Sequence, residues 1–342
     1  MTKLRNWMIA ATTAAVLAVA PATVSTASAA PRATPPPPLT FGIYPGGYAG
    51  GGSTNGKPDD PVKISKALTR LQNGRAPLLL RDYIGCDSPY PDSTTALLKP
   101  GRRLDLVVSY SGEDMADWTA CLREKVRLYG PVTDTISVTL EQNYLPVPNG
   151  NTALVQGVIA AREAADRNGL RRLQIGMDEI EAPFVYTAFW QDLARLGGAP
   201  FAKAVGFVGV DLYPNAGLPG TDPVPDPAEW IRQTLDVVRN QEMPLAGLGA
   251  DVPIRVAENG WSTYAGPDRT PAAQAHELTR EILAVNAVRG TYNVTSYEMF
   301  ALRDDVTGSA NPFDGFGLMT DDYSPKPMFW IYQGLIAALG KR

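Results

Sequence analysis

Two glutamates stand directly after apolar segments of the chain. Glu141 follows the largely apolar segment ISVTL at residues 136–140, and Glu258 follows IRVA at residues 254–257. A carboxylate beside an apolar segment costs free energy unless it is solvated, paired or functional. Two such groups can divide acid–base chemistry, because one donates a proton while the other attacks or activates water. Glu141 and Glu258 are therefore the first candidates for catalytic residues.

Eight short apolar segments alternate with longer amphipathic ones, and this order predicts how the glutamates are positioned. The predicted strands are residues 39–44, 77–83, 104–110, 135–141, 173–178, 205–212, 253–258 and 292–300. Most are continuous apolar runs, which is typical of parallel strands buried on both faces. Helix starts between them are indicated by Asp60 before Pro61, by Asp226 before Pro227 and by Thr270 before Pro271. Together they predict an α/β fold, a single (β/α)8 barrel over residues 39–342.

The second βα unit gives the weakest signal, since the connection after residue 83 contains only a loop and a short helix near residues 94–98. An open doubly wound sheet is the alternative fold, and it usually binds a nucleotide on a glycine-rich first turn. Glycines do follow the first strand at residues 46–52, but their spacing is not G-x-G-x-x-G and no helix starts on them. We interpret this segment as a loop and expect no cofactor.

Barrel enzymes place their chemistry where the strands run into the following loops. On strands four and seven, Glu141 and Glu258 would face each other across the mouth of the barrel. This arrangement suits a carboxylate pair flanking a glycosidic bond. Further polar or aromatic candidates for substrate binding lie at or just after the carboxyl ends of the predicted strands. They are Arg81, Asn143, Asp178, Asp211, Tyr213 and Trp261.

The chain from residue 39 to 339 resembles the clan A glycoside hydrolases, a barrel group with many cellulases, β-glucosidases and β-xylosidases. Residues 255–263 (RVAENGWST) are similar to the clan's strand-seven nucleophile segment, and the motifs LRDD, FGLM and SPKP at 302–327 resemble the region after strand eight. The resemblance implies a retaining double displacement on a β-linked poly- or oligosaccharide, with Glu141 as acid/base and Glu258 as nucleophile. It also implies that Tyr213 touches the nucleophile and that Arg81 lies beneath it.

The sequence departs from the clan pattern at several positions. Leu140 replaces the asparagine that usually precedes the acid/base and binds the sugar 2-hydroxyl, and the usual active-site histidines and strand-eight tryptophan are absent. One alternative is therefore a barrel that binds glycan without cleaving it. The other is a metal-assisted hydrolase that uses Asp82, Asp178, Asp211 and Glu258 as oxygen ligands for Mg²⁺ or Ca²⁺.

Composition argues against several other classes of protein. The 342 residues are 44% hydrophobic with a net charge of −4, so the chain suits a globular domain and lacks the basic surface that nucleic-acid binding needs. Its one histidine, His276, lies on a predicted outer helix, which argues against a histidine-rich metal site. We expect a monomer without a membrane span.

The N-terminus carries an export signal. Lys3 and Arg5 precede an apolar segment, and a small-x-small cleavage pattern ends at Ala29, which predicts a signal peptide over residues 1–29. A proline-rich linker is predicted over residues 30–38. Secretion would expose Cys86 and Cys121, which lie 35 positions apart, to an oxidising compartment. We therefore expect a secreted, extracellular protein with a Cys86–Cys121 disulfide.

Overall fold

The computed structural model describes residues 36–341, apart from Ala49, Gly51, Arg75 and residues 219–222. In this part of the chain eight parallel strands form a closed barrel, paired in chain order, and the last strand pairs with the first. The predicted single (β/α)8 barrel is confirmed. The predicted signal peptide, and the linker up to residue 35, lie outside the described residues.

The eight predicted strands all form, with ends that move by a few residues. The strands are β1 (Thr40–Ile43), β2 (Leu78–Ile84), β3 (Arg102–Val108), β4 (Thr133–Val138), β5 (Gln174–Ile180), β6 (Phe207–Leu212), β7 (Ile254–Asn259) and β8 (Val294–Met299). The α-helices are α1 (Pro61–Gln72), α2 (Met115–Tyr129), α3 (Gly150–Arg167), α4 (Thr187–Ala204), α5 (Pro227–Val237), α6 (Pro271–Val288) and α7 (Pro327–Leu339). None of the helices in the described residues is both long and apolar enough to span a membrane.

The capping signals mark true helix starts. The Asp60 side chain accepts the backbone N–H groups of Val62 and Lys63 at the start of α1, at 2.9 and 3.0 Å. Asp226 and Thr270 cap α5 and α6 in the same way, and a proline occupies the first turn of all three helices. These contacts satisfy backbone donors that a helix leaves unpaired at its N-terminus.

The connection between β2 and β3 contains only a short 3₁₀ turn, Thr95–Leu97, where a full helix would be expected in the barrel repeat. A disulfide joins Cys86 in this connection to Cys121 on α2, with the two Cα atoms 5.6 Å apart. Two further contacts come from α2, since Lys125 donates to the Ser88 carbonyl and Tyr129 to the Pro89 carbonyl. The predicted disulfide therefore fastens the part of the barrel that lacks its own helix.

The strand β4 ends at Val138, so the sequence prediction that it continues to Glu141 is wrong. The chain turns instead, because Thr139 and Glu141 adopt left-handed φ angles of 68° and 44°. Such values are uncommon for non-glycine residues and rarer still for a β-branched one. Backbone outliers of this kind cluster at functional sites. Glu141 is thus presented by a strained turn rather than by the strand itself.

Candidate active site

A buried arginine on β2 contacts side chains of three other strands of the barrel. Arg81 is almost fully buried and forms ion pairs with Asp105 on β3, Asp178 on β5 and Glu258 on β7. Burial alone would lower the pKa of Arg81, but these anions and Tyr83 raise it well above its usual range. The guanidinium therefore stays charged inside the barrel and offers its fork of N–H donors to carboxylates.

Glu258 at the end of β7 accepts four hydrogen bonds. Arg81 donates to its Oε1 through Nε and Nη2 at 3.2 and 3.0 Å, and the Tyr83 hydroxyl donates to the same oxygen at 2.5 Å. The Tyr213 hydroxyl, which follows β6, donates to Oε2 at 2.6 Å. Donors on both oxygens fix the orientation of this carboxylate. The predicted contact of Tyr213 with Glu258 and the position of Arg81 beside it are present.

Glu141 lies in the opposite electrostatic environment. Burial raises the pKa of Glu141 to about 8, and the negative charges of Glu258 and Asp178 add to this effect, while Arg81 opposes it. A carboxyl with this pKa is largely protonated near neutral pH and can act as a proton donor. The two glutamates predicted as a catalytic pair therefore differ in environment, because four donors surround Glu258 while burial favours the protonated form of Glu141.

The carboxylates of Glu141, Glu258 and Asp211 converge at the mouth of the barrel. Each offers one oxygen, and these oxygens all lie within 4.8 Å of one another. The pair Glu141–Glu258 is thus in contact range of a single sugar ring. In glycosidases, carboxyl groups about 5–5.5 Å apart accompany retention, and separations of about 6.5–9.5 Å accompany inversion.

Asp211 on β6 is a third, fully buried carboxyl at this site. Neither of its oxygens has a hydrogen-bond donor among the described residues. Burial raises the pKa of Asp211 well above its usual range, and the charges of Asp178 and Glu258 raise it further. We infer a neutral carboxylic acid here, which can donate a hydrogen bond as a carboxylate cannot. Asp178, which contacts Arg81, has a pKa raised by burial to about 6.

An aromatic wall covers one side of Glu258. It consists of Tyr44, Tyr83, Phe300, Phe316 and Tyr213, which contact one another in sequence around the mouth. Tyr44 stacks on Phe300 with ring centroids 5.1 Å apart and planes 8° apart. Phe300 thus occupies the end of β8, where the clan pattern usually has tryptophan. Tyr44, Tyr83 and Tyr213 are the partly exposed rings of this wall, and the exposed part of an aromatic ring suits the C–H face of a sugar.

Two predicted substrate-binding residues have other partners. The Asn143 amide donates to the Ile180 carbonyl at 2.7 Å and accepts its N–H at 3.2 Å, so it joins the turn after β4 to β5. Trp261 is only 5% exposed, and the Arg269 guanidinium covers its ring at 4.3 Å from the centroid. These contacts tie both side chains to the framework of the site, and their contact with sugar stays a prediction.

The structure also changes the ligand set of the metal-assisted alternative. Asp82 lies against Thr94 and Asp92, and burial raises its pKa to about 6. Asp178 forms an ion pair with Arg81. The carboxylates that do converge are Glu141, Asp211 and Glu258. The four ligands predicted from the sequence therefore do not form one site.

Sequence reasoning missed two residues that contact Arg81. Tyr83 donates to Glu258, and Asp105 pairs with Arg81 at 2.8 Å. The signals were present, since Tyr83 lies two positions after Arg81 on one strand and so shares its face. Asp105 interrupts the apolar run of β3, and a buried charge of that kind requires a partner.

Comparison with known proteins finds similar folds but no similar sequence. No profile of a known protein family matches the chain, and no curated protein sequence is similar to it. Among solved structures, a family 39 glycoside hydrolase from Bacteroides cellulosilyticus WH2 is similar with a TM-score of 0.62 at 16% identity, over 89% of this chain. This chain spans 64% of the length of that protein, just under two thirds.

Two other solved glycosidases match over most of both chains. A β-glucosidase from Thermotoga maritima has a TM-score of 0.58 at 11% identity and covers 82% of this chain and 87% of its own. A plant β-glucan endohydrolase has a TM-score of 0.59 at 17% identity and covers 82% and 98%. At these identities the likeness concerns the fold. The chain therefore has the barrel fold that these glycoside hydrolases share.

Proposed function

We propose that this chain is a divergent clan A glycoside hydrolase that cleaves β-linked poly- or oligosaccharides with retention of configuration. Glu258 is the nucleophile and Glu141 is the acid/base. One observation carries the proposal. The oxygens of these two glutamates lie within 4.8 Å of each other, while four donors hold Glu258 and the pKa of Glu141 is raised to about 8. Pairs of carboxyls with opposed environments mark acid and base roles.

In the first step Glu258 attacks the anomeric carbon as the glycosidic C–O bond breaks. Glu141 gives its proton to the leaving oxygen, so the leaving group departs as an alcohol. The hydroxyls of Tyr83 and Tyr213 hold the attacking carboxylate in place. The product of this step is a glycosyl ester of Glu258, which carries no charge.

The loss of that charge prepares the second step. The charge of Glu258 is the largest electrostatic cause of the raised pKa of Glu141, after burial. When Glu258 becomes an ester, the pKa of Glu141 falls, and the group can then take a proton from water. Water attacks the anomeric carbon, the ester bond breaks, and Glu258 regains its carboxylate.

The choice of substrate class rests on the aromatic wall and on the kinds of enzyme that share the fold. Tyr44 and Tyr83 are partly exposed next to the nucleophile, and both rings pack against the buried Phe300. The solved structures with this fold include β-glucosidases and a β-glucan endohydrolase. A β-linked glucoside or glucan is therefore the first substrate to try.

We also propose that the protein acts outside the cell. The cleavage pattern at Ala29 supports export, and the Cys86–Cys121 disulfide suits an oxidising compartment. Mass spectrometry of the protein recovered from culture medium tests this part. A mature N-terminus at residue 30 is expected, whereas a full-length chain retained in the cells would contradict it.

The enzyme assay uses the secreted protein with β-linked polysaccharides and aryl β-glycosides. Reducing ends and released phenol are measured for the wild type, for Glu258→Gln and for the exposed control Glu163→Gln on α3. We expect turnover in the wild type and the control, with a loss of at least about 10³-fold in Glu258→Gln. NMR of the first-formed anomer then distinguishes retention from inversion.

The same assay separates the two alternatives. Saccharide binding without turnover in the wild type would favour a barrel that binds glycan without cleaving it. Leu140, which stands where clan members usually have asparagine, is the residue that suggests this alternative. Turnover that a chelator abolishes and Mg²⁺ or Ca²⁺ restores would favour metal-assisted hydrolysis at Glu141, Asp211 and Glu258. Turnover in Glu258→Gln equal to that of the wild type would remove the proposed nucleophile.

A further inference from the structure

A second group of buried carboxylates lies on the other side of β5 from Arg81. Side chains alternate along a strand, so Glu179 and Glu181 point away from the barrel axis, opposite to Asp178. Glu242, at the end of the π-helical turn Val238–Glu242 that extends α5, meets them there. Each of these three glutamates offers one oxygen within 4.8 Å of the others, and all three are at most 2% exposed.

These glutamates have fewer well-aligned donors than buried carboxylates normally have. Of their six oxygens, only Oε1 of Glu242 accepts a hydrogen bond, from the Tyr186 backbone N–H at 2.6 Å. Both oxygens of Glu179 and of Glu181, and the second oxygen of Glu242, have no hydrogen-bond donor among the described residues. Outside strict hydrogen-bond geometry, the indole N–H of Trp190 acts on Glu242 and the backbone N–H of Ala182 acts on Glu181, and each lowers the pKa of its partner against the effect of burial.

The group also lacks a compensating cation, which several other buried acids have. Asp178 pairs with Arg81, Glu298 with Arg255, and Asp304 with Lys326. No lysine or arginine in the described ranges forms an ion pair with Glu179, Glu181 or Glu242. Three converging carboxylates with unpartnered oxygens are unfavourable in the interior unless protons or a cation compensate them.

We propose that Glu179, Glu181 and Glu242 bind a divalent cation of the calcium class. Hard cations take oxygen ligands, and Ca²⁺ accepts six to eight of them from carboxylates in one- or two-oxygen contacts. Mg²⁺ demands a tighter octahedron and keeps several waters, which suits this buried site less well. A cation here would join the end of β5 to the extension of α5.

The position of the site gives it a structural role. Asp178 is the neighbour of Glu179 in β5 and holds Arg81 from the opposite face of the strand. A cation bound outside β5 would therefore stabilise the strand end that carries part of the Arg81 network. The role is independent of the glycosidase proposal, and its test does not use turnover.

The test measures Ca²⁺ binding to the full chain after treatment with EDTA. Calorimetric titration with CaCl₂ and thermal unfolding with and without Ca²⁺ are done on the wild type, on Glu181→Gln and on the exposed control Glu163→Gln. We expect one binding event and a rise in Tm of roughly 5 °C for the wild type and control when Ca²⁺ is about 100-fold above its Kd. Glu181→Gln should lose at least tenfold in affinity and most of that rise.

Terbium gives a second readout that does not depend on stability. Tb³⁺ replaces Ca²⁺ on oxygen ligands, and a nearby indole sensitises its emission. We expect emission in the wild type that Ca²⁺ displaces, and a loss of that emission in Trp190→Phe while calorimetry still detects Ca²⁺. The proposal would be overturned if the wild type showed no binding heat and no Ca²⁺-dependent change in Tm while Glu181→Gln was more stable than the wild type. Bound protons, and not a cation, would then compensate the negative charge of the cluster.

Discussion

Arg81 donates two hydrogen bonds to a single oxygen of Glu258, from Nε at 3.2 Å and from Nη2 at 3.0 Å. The same guanidinium also pairs with Asp105 and Asp178. One buried cation therefore both orients the proposed nucleophile and neutralises two further acids inside the barrel. Removing it would leave several buried carboxylates without compensation, so its effects on activity and on stability are linked.

Replacing Arg81 by lysine keeps the positive charge but removes the planar fork. An ammonium group cannot make parallel contacts to three carboxylates in fixed geometry. We expect Arg81→Lys to lower kcat by about 10²-fold or more, while Arg81→Met destabilises folding by about 3–5 kcal/mol because buried anions lose their partner. Kinetics and urea unfolding check the two parts.

Arg269→Lys is the matched control for the arginine-to-lysine change. Arg269 lies on Trp261 and donates to the Asn215 carbonyl, away from Glu258. If Arg269→Lys lowers kcat as much as Arg81→Lys does, the special role of the Arg81 fork is contradicted.

Tyr213→Phe removes one donor from Oε2 of Glu258 and leaves the ring in the aromatic wall. A hydrogen bond to a charged group is worth about 1.5–3 kcal/mol, so we expect kcat/KM to fall about 10–100-fold. Tyr129→Phe is the control, because its hydroxyl bonds the Pro89 carbonyl far from the site. Equal kinetics for Tyr213→Phe and wild type would show that this hydroxyl does not support the nucleophile.

The pH dependence of activity tests the role of Glu141. Its pKa is raised to about 8, and a general acid must be protonated to act. We expect kcat/KM to fall tenfold per pH unit above about pH 8. In Glu141→Gln this limb should vanish on aryl glycosides with good leaving groups, which need little protonation. A basic limb that persists in Glu141→Gln would belong to another residue.

The pH dependence of stability follows from several acids whose pKa values are raised in the folded state. Burial raises the pKa of Asp178 to about 6 and that of Glu141 to about 8, while Asp211 lies well above its usual range. The folded state then binds more protons than the unfolded state from about pH 4 upward. Stability is therefore greatest in mild acid and falls as pH rises toward 8.

Thermal unfolding between pH 4 and 8, with EDTA present, checks this dependence. In Asp211→Asn the Tm should fall less steeply as pH rises, because the variant has no carboxyl to ionise at that position. Asp192→Asn is the control, since Asp192 has a lowered pKa and lies on the surface of α4. A Tm that rises steadily from pH 4 to 8 in the wild type would contradict the direction argued here.

The sequence predicted the barrel well because continuous apolar runs and capping residues act locally. Asp60, Asp226 and Thr270 mark helix starts through contacts within one turn, so pattern alone identifies them. The carboxylate pair was also predictable, since Glu141 and Glu258 follow apolar segments whose order in the barrel sets them face to face.

Other features depend on contacts that no local pattern contains. The left-handed turn at Thr139 and Glu141 ends β4 early, although the residues there read as a continuous strand. Arg269, eight positions after Trp261, covers a ring that looked suited to sugar. The Glu179 cluster needs Glu242 from a distant segment, and only the fold brings them together.

The Cys86–Cys121 disulfide leads to a prediction about the one barrel unit without an α-helix between its strands. The bridge closes a loop of 35 residues that includes β3 and joins the β2–β3 connection to α2. Such a bridge lowers the chain entropy of the unfolded state, and this effect contributes about 3–4 kcal/mol to the stability of the folded state. We expect Cys86→Ser with Cys121→Ser to lower the free energy of unfolding by about this amount, measured by urea unfolding without reductant.

Reductant provides the control for this prediction. The wild type in reductant should match the double variant, while reductant should leave the variant unchanged. The connection keeps the contacts of Lys125 and Tyr129, so we expect the folded barrel and its Glu258 site to survive at low temperature. Equal stability of oxidised wild type and double variant would show that these two contacts suffice to hold the connection against α2.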